Sequence, residues 1–448
     1  MALPVAVYEL RDTATANNVN GAGFNAARGG TDYTLQDAAQ ETRTDLTCTA
    51  ASTTVTSAAA TFTDAMKGNF IHLTALTGTG AIVGWYEIVS VTDANNLVLD
   101  RTPTNGVNNI TAGTFYVGGA GRLGALDDPF FELPLAGSTI WIKKGTYTLA
   151  GNVIVANDAT TAEGILYKGY NATRGDNPTG TDRPTIDCNT RIVTVAGLYY
   201  NFEHIMFTSS HAAGVNVSTG TRLENCKFTN TGSGVALTLT ATANKVIRCE
   251  MTSAGGTAVD VNNLSNLIHG CYIHDSDVGV NLDAFDNLTF SFNVIDNCTT
   301  GILLDDGSIN SMFINNTFYG AETPAGTAVS IGTAAATSVN NVFLNNIFYG
   351  WTTGVNIFSV TSSNAFLYNN FYNNTTDTVN VTLTSGNLTL NPQFTNAGSG
   401  DFSIGTNLKA AATPGNAGQV STSYLDMGAV QRQEQAASTP SSDWIINH

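Results

Sequence analysis

A phrase recurs down the second half of the chain with a period of about 22 residues, the scale of a repeat architecture. It is a Cys or Asn anchor followed two positions later by a large apolar residue. The copies are Cys226/Phe228, Cys249/Met251, Cys271/Ile273, Asn293/Ile295, Asn316/Phe318, Asn346/Phe348 and Asn370/Tyr372, with a looser copy at Ile205/Phe207. The spacing is nearly constant except between Asn316 and Asn346, where the coil is longer. A second short apolar pattern follows most anchors, as in Val259-Asp-Val, Val280-Asn-Leu, Ile302-Leu-Leu and, in the last copy, Val379-Asn-Val. A third apolar pair precedes the next anchor, such as Leu288/Phe290 or Met312/Ile314. Three short period-2 strands per repeat, parted by Gly, Asn, Thr and Asp, describe one coil of a parallel β-solenoid.

One coil cannot bury its own inward row, so coils stack roughly 4.8 Å apart and equivalent residues form ladders. Inward Val, Ile and Phe ladders make the core, and Asn ladders bond coil to coil. A leucine-rich repeat of similar length would need fixed Leu spacing, which the wandering apolar type here does not supply. No long 3.6-period stretch argues for helix within the repeats.

Composition fits such a chain. Gly contributes 44 of 448 residues and charged residues only 12%, which suits stacked coils with polar, uncharged turns. The net charge of −17 repels phosphate backbones and anionic lipid, so neither nucleic acid nor a membrane surface is an expected partner. No run of 18 apolar residues is present, which excludes a spanning helix. The first residues lack a basic n-region and an adequate h-region, so no secretory signal is read there and assembly in a cytoplasm is expected. Cys226, Cys249 and Cys271 hold the same anchor in three successive coils and are expected as a buried ladder of reduced thiols. In-register side chains point the same way, which is poor disulfide geometry. No CxxC pair argues for zinc, and no cofactor or metal is expected.

Three regions are expected. Residues 1–125 form a loop-rich opening and a small antiparallel β module, with short strands around Thr53–Thr56, Asn69–Thr74, Trp85–Val91 and Leu97–Asp100. Residues 126–390 form the solenoid, opening at Ser138-Thr-Ile-Trp-Ile-Lys-Lys-Gly-Thr-Tyr and carrying a long loop from Gly169. Residues 391–448 form an irregular cap and a polar tail with an apolar tip at Trp444-Ile-Ile.

The Ile140-Trp-Ile-Lys-Lys-Gly-Thr-Tyr start resembles right-handed parallel β-helix proteins of the pectate-lyase-like superfamily. So do the Gly169-Tyr-Asn-Ala-Thr-Arg-Gly-Asp loop before Arg183-Pro-Thr-Ile-Asp and the Asn391-Pro-Gln-Phe to Asp426-Met-Gly-Ala-Val closing. The resemblance covers roughly residues 135–430 and implies an all-β chain, a right-handed parallel β-helix of three short strands per coil. The N-terminal module is similar to segments of β-helix proteins from phage virions and environmental bacteria. Such folds serve lyases, hydrolases, epimerases and non-catalytic virion proteins alike, so the chemistry must be read from residues.

Lyase chemistry needs a cationic group or a metal with a base, and from Cys249 to Leu408 there is no Lys or Arg. Only Arg222, Lys227, Lys245 and Arg248 could serve, within two coils. Hydrolysis needs paired carboxylates, one of them with a raised pKa. The candidates are Asp283, Asp286, Asp305 and Asp306, with Asp260, Asp275 and Asp277 on nearby coils; Asp283 and Asp305 lie equally far past their anchors and should stack. The set resembles the Asp cluster of polygalacturonase-like glycosidases, but the Gly-His-Gly and Arg-Ile-Lys segments of that family are absent. Turn positions, where carboxylates bond locally to backbone, account for these Asp residues, with a bound Ca²⁺ as a further alternative.

Outward residues point to contact rather than catalysis. The row one past each anchor reads Met206, Lys227, Glu250, Tyr272, Val294, Thr317, Ile347 and Phe371, and its later part is more apolar than a solvated face. Tyr272, Val294, Ile347 and Phe371, with Trp444, are the interface candidates, against a neighbouring chain or under the chain's own tail. The expected function is a non-enzymatic bacteriophage virion component. It would be a homotrimeric spike, fibre or capsid-decoration subunit meeting other virion proteins and host surface polysaccharide. The alternatives are a tailspike depolymerase and a bacterial adhesin-like or carbohydrate-binding protein.

Overall fold

The computed structural model describes residues 3–123, 132, 134–283, 287–305, 307–320, 326–332, 338–358, 363–381, 383, 386–409, 411, 412 and 426–431. The protein is all-β, with about ten right-handed solenoid turns of about 23 residues and a separate N-terminal antiparallel sheet. It divides into two compact units, Met1–Asp187 with Val193–Ile205, and Cys188–Ile192 with Met206–His448.

The first unit contains the antiparallel sheet, seven strands in the order Glu41–Arg43, Ala112–Val117, Phe70–Thr77, Gly84–Asp93, Asn96–Leu99, Thr54–Thr56 and Thr47–Cys48. Four of these are the strands that the alternation predicts; Glu41–Arg43, Thr47–Cys48 and Ala112–Val117 are additional. Gly84–Asp93 and Asn96–Leu99 form a hairpin in which the Asp93 carboxylate accepts from the Asn95 amide at 2.8 Å, an Asx turn. The core of this module includes Val55, Phe62, Ile71, Leu73, Tyr86, Leu97 and Phe115, all nearly or fully buried.

The same unit holds the first solenoid rungs, and they begin earlier than Ser138. Val7–Leu10 pairs in parallel with Thr139–Lys143, which pairs with Ile165–Tyr170, which pairs with Tyr200–Glu203. Tyr8, Ile140, Tyr167 and Phe202 stack in register as one buried column, the rings of Tyr167 and Phe202 lying 4.9 Å apart. The N-terminal Val-Tyr-Glu-Leu is too short for its period to stand out; only pairing with Thr139–Lys143, on the far side of the antiparallel sheet in sequence, makes it a strand.

In the second unit each coil carries the three expected strands. One sheet stacks Arg222–Glu224, Lys245–Ile247, Leu267–His269, Thr289–Ser291, Met312–Ile314, Val342–Leu344 and Ala365–Leu367. The two strands after each anchor form the other sheet and fuse twice into single 11-residue strands, Tyr272–Leu282 and Val294–Leu304. Inward columns run Phe228, Met251, Ile273, Ile295, Phe318, Phe348 and Phe371, and Val246, Ile268, Phe290, Phe313, Phe343 and Phe366. Ring spacings of 4.8 Å in Phe318–Phe348 and Phe348–Phe371 equal the strand repeat.

The corner between the two sheets has a conformational signature. Asn225, Arg248, Gly270, Phe292, Asn315, Asn345 and Tyr368 all have φ between 50° and 65°. Each immediately precedes a ladder residue: Cys226, Cys249, Cys271, Asn293, Asn316, Asn346 and Asn369. Left-handed backbone suits Asn and Gly and strains Phe and Tyr, so the corner is held by the ladder that follows it. That ladder bonds continuously. Asn316 donates from its amide nitrogen to Phe290 O at 3.0 Å and to Asn346 Oδ1 at 2.9 Å, while its own Oδ1 accepts from the Asn293 backbone N–H at 2.9 Å. Asn346 repeats the pattern onto Asn369, and Asn369 onto Asn387.

The last coil corrects the sequence reading by one position. Asn369, not Asn370, is the anchor, so Phe371 is inward, 2% exposed and stacked on Phe348, and Asn370 takes the outward place. The second strand slips with it: Thr378, not Val379, pairs with Val355. In Asn315-Asn316 and Asn345-Asn346 the second Asn is the ladder residue, whereas in Asn369-Asn370 it is the first. A one-residue shift along a strand exchanges its two faces.

Candidate functional site

On the first strand after each anchor in the second unit, the outward side chains lie in two rows. The row one past the anchor is Lys227, Glu250, Tyr272, Val294, Thr317, Ile347 and Asn370; the row three past it is Thr229, Thr252, His274, Asp296, Tyr319, Tyr349 and Tyr372. Tyr372, expected inward beside an Asn370 anchor, belongs to this second outward row, opposite Tyr349.

Where the rows cross in the middle coils, ionisable groups meet. Lys227 Nζ lies 2.6 Å from Glu250 Oε1, and that oxygen is 3.3 Å from His274 Nε2. His274 Nδ1 lies 2.7 Å from Asp275, whose other oxygen accepts from Asn297 at 2.5 Å. The Tyr272 ring stacks on His274 at 4.1 Å and its hydroxyl donates to Asp296 at 2.8 Å. A neutral imidazole has one N–H, so facing a carboxylate at both nitrogens favours imidazolium. Burial alone would lower the His274 pKa, but its hydrogen bonds to Glu250 and Asp275 outweigh that and raise the value. Burial would raise Glu250, but His274 and Lys227 bring it down to about 2. Asp275 is likewise lowered, burial being outweighed by Asn297 and His274. Burial and the neighbouring Asp296 push Tyr272 upward.

Of the four expected carboxylates, Asp283 and Asp305 are among the described residues. Asp283 is exposed and Asp305 half-buried; they follow paired strand ends, Leu282 opposite Leu304, and so stack on adjacent coils as their spacing predicts. Asp260 instead receives the amides of Asn262 and Asn281, at 2.8 and 2.9 Å. Asp286 and Asp306 lie outside the described residues, as does Trp444. Among the described residues no group of three or more His, Cys, Asp or Glu is placed to hold a metal ion.

The apolar part of the outward row is covered by the chain's own C-terminal residues. Val294 packs with Phe402 and Ala429, and Ile347 with Ile404, Leu408 and Met427. The Ala429 N–H donates to Thr317 Oγ1 at 3.0 Å, and Gly428 N–H to Asn345 O at 3.0 Å. At Gly428 the φ of 92° excludes a side chain, and a Cβ there would sit 2.6 Å from Ile347 Cδ1. Among the described interface candidates only Tyr272 stays partly exposed.

A second charged cluster, in the first unit, is structural. Glu9 is fully buried, ion-paired to Arg11 at 3.0 Å and Arg174 at 2.7 Å, and accepts from Tyr170. Arg174 also reaches Asp32 at 2.8 Å, which ties the Gly169–Asp176 loop down. Burial raises the Glu9 pKa despite the two arginines.

Residues 192–343 match the family model described as a right handed beta helix region. No curated protein sequence matches the chain. Among solved structures the chain is similar to the tailspike protein of E. coli bacteriophage HK620 in complex with a pentasaccharide, at 12% identity over 56% of this chain and TM-score 0.42. It spans 60% of that tailspike chain. It is also similar to a mannuronic acid specific polysaccharide family 6 lyase from human gut microbiota, at 14% identity, 54% of this chain, 70% of that one and TM-score 0.38. A third is the catalytic domain of a GH87 alpha-1,3-glucanase bound to nigerose, at 13% identity, 76% of this chain, 92% of that one and TM-score 0.33.

Proposed function

We propose that this right-handed parallel β-helix is a non-enzymatic component of a bacteriophage virion surface. It serves as a spike, fibre or capsid-decoration subunit, works as a homotrimer, and touches surface polysaccharide without cutting it. The virion setting and the trimer follow the resemblance carried by the sequence motifs. The observation that carries the non-enzymatic reading is the mutual pairing of the outward charges. A glycosidase needs one carboxyl kept protonated near neutrality beside an ionised partner. Glu250 and Asp275, the carboxylates on either side of His274, are both held below the ordinary range, so neither is a general acid. Lys227, Glu250, His274 and Asp275 act as ties between coils.

A second reading, a depolymerase, is favoured by one observation: Asp283 and Asp305 stand on successive coils at the ends of paired strands. The test is incubation with host surface polysaccharide, following reducing ends and unsaturated uronic products, with light scattering for the assembly mass. The expected result is a trimeric mass and no product. Reducing ends abolished by Asp283→Asn or Asp305→Asn would establish the hydrolase instead, and a monomer would remove the trimer.

A further inference from the structure

We infer that the cleft between the tyrosine ladder and residues 391–398 is a subsite for an uncharged sugar residue of a polysaccharide. The inference rests on the proposed glycan contact and names where and with what chemistry it is made. The cleft has a volume of about 290 Å³, near the lower bound of ligand pockets and on the scale of a single sugar ring with its water. One wall is Tyr319 and Tyr349, stacked 5.3 Å apart with their planes 5° from parallel. Phe394 stands edge-on to both, at 5.8 and 5.5 Å. Because each tyrosine face is turned to a ladder neighbour, these rings offer edges and hydroxyl ends to a ligand, not stacking faces.

The opposite wall supplies amides. Asn391 and Gln393 line it, and both are exposed. Their backbone is held in place: the Gln393 N–H donates to Asn391 Oδ1 at 2.9 Å, the Gly405 N–H to Pro392 O at 2.8 Å, and Asn407 Nδ2 to Asn391 O at 3.0 Å. Gln393 sits at φ 53°, and a Cβ at Gly405 would meet its side chain at 2.5 Å. Ala397 and Gly398, both small, complete the lining. Among the described residues the Tyr349 hydroxyl, the Asn391 Nδ2 and the Gln393 Nε2 donate to no protein group. Hydroxyl and amide groups that both donate and accept are the complement of a polyol.

Charge selects the class of sugar. The cleft lies wholly inside the stretch from Cys249 to Leu408 that has no Lys or Arg, in a chain of net charge −17. None of the residues lining the cleft is a Lys or Arg that could neutralise a uronate, sialate or phosphorylated sugar, and the acidic chain repels one. An uncharged hexose or deoxyhexose meets no such penalty.

The test is binding of the full chain to immobilised neutral oligosaccharides (glucans, galactans, mannans and rhamnose-containing chains) beside oligogalacturonate and oligosialate. Tyr349→Phe removes one hydroxyl and keeps the stacked ladder; Gln393→Asn keeps a residue that tolerates positive φ and shortens the amide's reach. The expected result is retention of at least one neutral class over the acidic ones. The double variant should lose it about tenfold or more, equivalent to roughly 1.4 kcal/mol, at an unchanged melting temperature. Preference for the acidic glycans, or neutral binding that survives the double variant, would overturn the subsite and leave the glycan-contact reading standing. Absence of any glycan binding would sink both.

Discussion

The early and late coils of the second unit solve the same stacking problem with different chemistry. Around Cys226, Cys249 and Cys271 the ladder position is a thiol, and the Cys249 N–H reaches only a sulfur, Cys271 Sγ at 3.4 Å. Stability between coils there is supplemented by ions on the outside: Glu224 held by Arg222 and Arg248, and Lys227, Glu250 and His274 in a chain. From Asn293 onward the cations disappear, the ladder becomes amide, and the apolar members of the outward row, Val294 and Ile347, are roofed by Phe402, Ile404, Leu408, Met427 and Ala429. A buried amide that bonds both ways along the axis replaces what exposed ion pairs do weakly. The late coils are therefore specified from inside and from above, the early coils from their rim.

The sharpest way to break this comparison is to remove one rung from each half. Asn316→Ala orphans the Asn293 backbone N–H and the Phe290 carbonyl, at about 1–3 kcal/mol for each buried group left unmade, or about 2–6 kcal/mol in all, while the Asn293 side-chain amide keeps its bond to Ile268 O. Cys249→Ala loses a small buried hydrophobe with weak bonds and should cost only about 1–2 kcal/mol. Urea unfolding of the two variants decides it; equal losses would mean that the amide ladder adds nothing over packing.

The roof gives the next effect. Phe402 is 1% exposed and meets Tyr272, Tyr319 and Phe394 edge-on or tilted. Phe402→Ala should cost about 3–5 kcal/mol locally. Hydrogen exchange should accelerate in Val294–Leu304 and Thr317–Tyr319 and stay unchanged in Lys227–Asn230. Uniform acceleration would show that the roof supports the whole unit instead.

The smallest effect is on pH. The folded His274 value lies above its ordinary 6.5, so its contribution is complete below about 6.5 and is lost as pH rises through the raised value. Glu250, at about 2 against an ordinary 4.5, contributes fully above 4.5 and loses that as pH falls toward 2. Stability from this bridge is thus greatest between about 4.5 and 6.5. His274→Gln should flatten the alkaline side of the stability profile by no more than about 1 kcal/mol, the scale of a partly exposed ion pair. An unchanged alkaline limb would mean that His274 is neutral in the fold.

The labelling of buried thiols sharpens the same contrast. All six cysteines are buried and free of disulfide bonds, so native protein should react slowly with a thiol reagent, and unfolded protein fully. Fast reaction of Cys226, Cys249 or Cys271 would show that the early coils open where the late ones do not.

Repetition made the fold legible. A short, nearly constant period with apolar alternation inside it leaves stacking as the only burial available, so the parallel solenoid, its three strands and most inward columns follow from spacing alone. So does the stacking of Asp283 on Asp305, and so do Tyr319 and Tyr349, each two positions past the outward row. Three things did not follow. Local sequence at Asn369-Asn370 permits either register, and only bonds from Asn346 above and Asn387 below choose Asn369. Val7–Leu10 becomes a rung by pairing with Thr139–Lys143 across the whole antiparallel module, a separation over which no local pattern speaks. What covers Val294 and Ile347 was open between a neighbouring chain and the tail, because an apolar row declares that it must be buried and not by what. The periodic interactions were written in the sequence because each coil repeats them; the register, the first rung and the roof were decided by contacts made once.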